Sequence, residues 1–184
     1  MLLTIAIVVL VLVAALLIVA ALRPDTFRVE RTTTIQASPA RIAPLVADFH
    51  QWTAWSPWEK IDPALQRSYS GPASGKGAKY AWTGNNKIGV GSMEIRDASP
   101  SSIKIDLAFL KPFECHNNVE FKLQPRDGAT QVTWAMDGRS NFFSKLITMF
   151  CSMEKMVGTQ YEIGLQNLKS LAESGTQAQA TRTA

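Results

Sequence analysis

The segment from Asn141 to Glu173 constrains this chain more than any other. It sets Leu146, Phe150, Met153, Val157, Tyr161, Gly164, Leu168 and Leu171 at steps of three or four, which is the spacing of one helical face. Met149, Met156 and Ile163 widen that stripe, and Lys145, Thr148, Ser152, Lys155, Thr159, Glu162, Gln166 and Lys169 make a solvated opposite face. At about 1.5 Å per residue such a helix outruns any single partner helix in a small bundle. It needs a broad apolar surface to lie on, and only a sheet built from the preceding chain can offer one.

The other end of the chain answers a different question. Leu2–Leu22 carries no charge, and as a helix its apolar residues match a bilayer core of about 30 Å. A secretory signal is the rival reading, with a conceivable cleavage site after Val19-Ala20-Ala21. Such signals have a basic start and an apolar core of about 7–15 residues, whereas here no Lys or Arg precedes a longer run. An uncleaved anchor over residues 1–23 is therefore favoured, and the membrane is an expected partner. Arg23, Arg28 and Arg31 all follow the span, so the positive-inside rule puts the folded domain on the cytoplasmic side of a bacterial-type inner membrane.

Between these ends the chain reads as strands and turns. Phe27–Ile35 alternates and is rich in Thr and Val, which suits a pleated surface. Ser38-Pro39 starts a short helix to about Phe49, followed by the Trp-rich stretch His50–Trp58. Six further strands are predicted at 65–70, 78–83, 89–97, 102–110, 114–124 and 129–137, each closed by Gly, Pro, Asn or Asp. Ile103, Ile105, Leu107 and Phe109 share one face, as do Val119, Phe121 and Leu123, and Val132, Trp134 and Met136. Short turns make the sheet antiparallel with one dry face, and the terminal helix is the element that can cover it. The expected class is α+β, with a domain over residues 24–174 and a disordered polar tail over residues 175–184.

This order of elements resembles the helix-grip fold of the START-like (SRPBCC) superfamily, and within it the polyketide cyclase/dehydrase-type members. The supporting residues are Trp52-x-x-Trp55-Ser56-Pro57-Trp58, Gly77-Ala78-Lys79-Tyr80-x-Trp82-x-Gly84, Gly89-x-Gly91, Thr130-x-Val132-x-Trp134 and Met153 to Glu173. The resemblance implies a curved antiparallel sheet wrapped around the long C-terminal helix, with an apolar cavity between them. Gly158 and Gly164 sit inside that helix at a cost of about 1 kcal/mol each relative to Ala, marking either room for a ligand or close approach to the sheet.

Composition narrows the chemistry. A net charge of +4 without a run of Lys or Arg argues against a nucleic-acid partner. Cys115 and Cys151 cannot form a disulfide scaffold, and with two histidines in the chain no metal motif exists, so no cofactor is expected. Gly75-Lys76-Gly77 lacks the spacing and the Ser/Thr of a phosphate-binding loop. His50 reads as a surface or capping residue, and His116 falls on the outward parity.

What remains is a ligand site of inward-facing side chains: Tyr80, Trp82, Cys115, Asn117, Trp134, Met153, Val157 and Tyr161. A buried Asn117 must be hydrogen-bonded, either within the protein or to a ligand. The Trp cluster at 52–58 plugs one end of the core or forms an interfacial belt at the membrane. The leading expectation is a membrane-anchored domain binding a hydrophobic small molecule or lipid, without catalysis. An aromatase/cyclase-like enzyme using Asn117, Tyr80 and Cys115 is the second, and an envelope or stress interaction protein with a vestigial cavity the third.

Overall fold

Strand pairing follows the turn chemistry throughout. The computed structural model describes residues 1–140, 142, 145–146 and 153–180. Strand β1 (Thr26–Ile35) is followed by helix α2 (Pro39–Ala47), the short helix α3 (Trp52–Trp55) and a 3-10 turn at Pro57–Lys60. Then come β2 (Gln66–Ser70), β3 (Lys79–Thr83), β4 (Val90–Ala98), β5 (Ser102–Lys111), β6 (Cys115–Arg126) and β7 (Ala129–Arg139). Helix α1 (Leu2–Leu22) precedes them and helix α4 (Met153–Ala180) ends the described chain. All seven strands join one antiparallel sheet in the order β1-β7-β6-β5-β4-β3-β2.

The β6–β7 hairpin shows how local chemistry sets register. Asp127 and Gly128 both take positive φ, as a two-residue primed turn requires, and Arg126 pairs with Ala129. Register shifts between β4 and β5 occur at Val90/Gly91 and Ile95/Asp97, irregularities of the kind that bend and twist a sheet. The inner face carries Ile95, Ile103, Ile105, Val119, Phe121, Leu123, Val132 and Trp134, all buried. This is the expected helix-grip arrangement.

Helix α4 lies along β1 and runs in the same direction. Arg31 of β1 meets Glu154 and Glu162, Lys169 Nζ donates to Thr34 O at 3.0 Å, and the Gln36 N–H donates to Glu173 at 2.7 Å. The buried face is Tyr161, Leu165, Leu168 and Ala172. Met156 and Ile163, expected to widen the stripe, are instead exposed. Each lies well round the helix from Tyr161, because each residue turns the helix by about 100°. Lys145, expected on the solvated side, is buried against Asp25, whose carboxylate compensates the charge.

The helix also continues to Ala180, into the stretch expected to be a disordered tail, where Gln and Ala favour helix propagation. The predicted helix start at Asn141 lies outside the described residues, as do Thr148, Met149, Phe150, Cys151, Ser152 and the end of the tail from residue 181.

Two tryptophans finish a helix. The last carbonyls of α2 have no intrahelical partner. The Trp52 indole donates to Val46 O at 2.9 Å and the Trp55 indole to Leu45 O at 3.0 Å. Both rings are buried, so they plug the core and are not an interfacial belt.

Candidate functional site

The expected ligand-site residues fall into three groups along the inner face. In the centre, Tyr161 of α4 lies on Trp134 of β7, with Trp58, Trp55 and Phe121 packed edge-on or stacked around the indole. The Trp134 N–H is buried without a hydrogen-bond acceptor. Burial pushes the Tyr161 phenol well above its ordinary pKa.

On the β3 side, Tyr80 and Trp82 point inward and are buried, and their rings stack at 5.7 Å. Their polar ends are committed within the protein. The Tyr80 hydroxyl donates to Glu59 Oε1 at 2.7 Å, and the Trp82 indole donates to Ile88 O at 3.3 Å. Glu59 is nearly enclosed and also receives Arg67 Nε at 2.6 Å. Burial, followed by the bond to the Glu59 carboxylate, raises the Tyr80 phenol far above the ordinary range. Gly91 is required beneath Trp82, because any Cβ there would strike the indole.

The third group lies toward the end of the sheet nearest α1. Asn117 is buried on the inner parity of Val119 and Phe121, and Cys115 beside it is a half-buried free thiol. The Asn117 amide makes a long contact of 3.8 Å to the Cys115 sulfur, a weak bond for a buried amide. Gly138, paired opposite, leaves the room that the Asn117 oxygen and the Phe27 ring occupy. Phe27, Leu107, Phe109 and Val157 pack on the core here yet stay partly exposed. Met153 begins α4, and its side chain lies outside the described residues.

The two helix glycines are places of close approach. A Cβ on Gly164 would come within 2.8 Å of Trp134 Cζ3 and 3.1 Å of Pro57 Cδ. A Cβ on Gly158 would strike the Arg31 guanidinium, which crosses the helix there to reach Glu154 and Glu162.

The sheet also bears an open cleft of about 380 Å³ around Asp106, His116, Asn118, Asp137 and Arg139. These side chains stand on the outward parity, so the cleft belongs to the outer face and reaches inward only at Leu107, Asn117 and Gly138. His116 points outward as expected, and no cluster of potential metal ligands occurs among the described residues.

A family profile described as polyketide cyclase / dehydrase and lipid transport matches residues 26–173, nearly the whole folded domain. The chain belongs to this family. Solved structures of similar fold include protein CV1439 from Chromobacterium violaceum, at 14% identity and TM-score 0.57, covering 82% of this chain and 99% of that one. The Aha1 dimer from Colwellia psychrerythraea is similar at 16% identity and TM-score 0.58, covering 80% and 96%. Protein SA2116 from Staphylococcus aureus, described as of unknown function, is similar at 13% identity and TM-score 0.59, covering 83% and 97%. At such identities the likeness is one of fold. A comparison with curated proteins found no match.

Family membership makes the inner face the place to look for a ligand, and there sequence reasoning missed two residues. Glu59 carries no local signal in the sequence, and only the fold brings Tyr80 and Arg67 onto it. Arg31 sat on the inward parity of its strand, a position that for a cation demands partners, and that parity was the available clue.

Proposed function

We propose that the protein is a membrane-tethered member of its family that holds a hydrophobic small molecule or lipid between the sheet and α4, without catalysis of its own. One observation carries this reading. The inner face is sealed by rings at its centre, while Phe27, Leu107, Phe109 and Val157 remain partly exposed at the end nearest α1. Apolar side chains turned toward an interior yet left open to solvent are the lining of an entrance.

The anchor supports the same reading. Leu2–Leu22 carries no charge and only 6% of its apolar stretch is buried, which supports an anchor rather than a core helix. The bilayer is then the nearest reservoir of hydrophobic ligand. The arginines after the span favour a cytoplasmic domain, and a C-terminal reporter that scores as exported would reverse that reading. A cyclase-type activity has less to draw on, because the Tyr80 hydroxyl is already bound to Glu59.

The direct test is native mass spectrometry of the full chain purified from its host membrane in mild detergent. The expected result is an adduct of one apolar species that diminishes when Leu107→Trp fills the entrance. Protein that is folded and carries no adduct, in both the parent and the variant, would overturn the reading.

A further inference from the structure

The end of the sheet next to α1 carries a second feature that the tether alone does not explain. Three residues, Arg23, Pro24 and Asp25, separate the end of α1 from the first residue of β1. At about 3.5 Å per residue they reach roughly 10 Å, so this end of the domain cannot leave the surface of any membrane that α1 spans. Antiparallel pairing brings the same end to the β5–β6 loop, the β3–β4 loop and the chain leaving β7. The two loops touch, with Gly89 packed on the backbone of Lys111.

What these segments expose is unusual for a soluble surface. Outside α1, the large apolar side chains exposed among the described residues are Leu110, Phe113, Phe142, Met156 and Ile163. Leu110 and Phe113, at 54% and 59% exposure, flank Lys111-Pro112 at the tip of the β5–β6 loop. Phe142 follows β7 by three positions at the same end. The loops at the opposite end, residues 71–77, 99–101 and 127–128, contain only Gly, Pro, Ala, Ser, Lys and Asp.

Charge points the same way. Arg23, Lys87, Lys111 and Arg139 are exposed around the apolar tip. Of the acids at this end, Asp25 is paired with Lys145 and also feels the charge of Arg139, Glu114 faces His116 at 3.8 Å, and Asp137 and Asp106 pair with Arg28 and Arg96. Apolar side chains ringed by Lys and Arg are the composition of a segment that enters the headgroup layer of an anionic bilayer.

We infer that the β5–β6 loop, through Leu110 and Phe113, is a second membrane contact that seats the entrance of the ligand site on the bilayer surface. The inference rests on the reading of α1 as an anchor. A ligand could then pass between the acyl layer and Phe109, Leu107 and Phe27 without crossing water. Seating also selects one orientation of the domain, in which the polar turns 71–77 and 127–128 face away from the lipid.

The test uses the full chain in vesicles of phosphatidylcholine and phosphatidylglycerol. In a Cys115→Ser, Cys151→Ser background, Phe113→Cys or Asp127→Cys is labelled with a polarity-sensitive fluorophore, and quenching by a lipid carrying a shallow nitroxide is measured. The expected result is a blue-shifted label at 113 that is quenched about threefold or more relative to 127. Equal quenching at the two positions, with the chain resistant to alkaline extraction, would overturn the contact while leaving the anchor standing. Release of the chain by alkaline extraction would overturn the anchor and the contact together. A label at 113 that is blue-shifted yet shielded from the nitroxide lipid would mean a protein surface covers the loop, and that also refutes the bilayer contact. The unlabelled parent chain, irradiated with a photoreactive acyl lipid, gives an independent reading. Crosslinks in the peptide spanning 108–114 are expected, and their absence counts against the inference.

Discussion

Tyr161 of α4 lies flat against Trp134 of β7, with ring centroids 3.9 Å apart and planes 12° from parallel. This stack is where the helix is fastened to the sheet, and Gly164 one turn further on lets the backbone descend onto the same indole.

Gly164→Ala should therefore destabilise the protein. Helix propensity favours Ala by about 1 kcal/mol. The new methyl must displace Trp134 or Pro57, both enclosed, and overpacking of that kind costs about 1–3 kcal/mol. A net loss of about 1 kcal/mol is expected in urea unfolding of the full chain in detergent.

Gly158→Ala should go the other way. Its methyl meets the end of the Arg31 side chain, which is flexible and can swing aside. Exposed ion pairs contribute little, so the gain in helix propensity should leave the variant as stable as the parent or up to about 1 kcal/mol more stable. The same unfolding assay separates the two glycines by sign.

Much of this fold was legible because its signals are local. The alternation of Ile103, Ile105 and Leu107 and the turn at Asp127-Gly128 set strands and register whatever lies around them. The harder features depend on what the fold brings together. Lys145 read as a surface residue because its partner Asp25 is 120 positions away in sequence. Ile163 read as core because a broad apolar stripe does not state its own centre, which Tyr161 and Leu165 define only once the sheet is beneath them. At the site, parity placed Asn117 and Tyr80 inward, but nothing local to Tyr80 announced Glu59.

Tyr80 should make the protein sensitive to alkali. Its phenol is raised above the unfolded value near 10 by burial and by Glu59, so the fold favours the protonated form. That contribution is complete below pH of about 10 and is lost progressively as pH rises beyond it. Tyr80→Phe should remove this part of the alkaline loss. At pH 7 it should cost about 2 kcal/mol, since the hydrogen bond surrendered is to a carboxylate. Urea midpoints measured from pH 7 to 11 test both statements.

At the acid end the relevant pair is Asp25 and Lys145. The hydrogen bond from Lys145, with its charge, holds the Asp25 carboxyl below the ordinary value of 3.8. A depressed carboxyl adds stability above its unfolded pKa and loses it as pH falls through the folded one, so the effect fades progressively as pH drops below about 4. Asp25→Asn should flatten the acid limb of the stability profile and leave the alkaline limb unchanged. Circular dichroism against pH reads this directly.

Asn117 offers the sharpest separation of stability from binding. Its amide is buried, and the bond to Cys115 is long and to a weak acceptor, so the protein gains little from it. Replacing a poorly bonded buried amide with an apolar group of similar size relieves its desolvation penalty, which is about 1–3 kcal/mol when unpaired. Asn117→Leu should therefore be at least as stable as the parent. If the amide meets a polar end of the ligand at the entrance, the same variant should lose most of the adduct seen by native mass spectrometry. An unstable Asn117→Leu would show that the amide is bonded more firmly within the protein than its distance to Cys115 implies. A stable variant with undiminished adduct would remove Asn117 from the binding site and leave recognition to the apolar walls, Phe27, Leu107 and Val157.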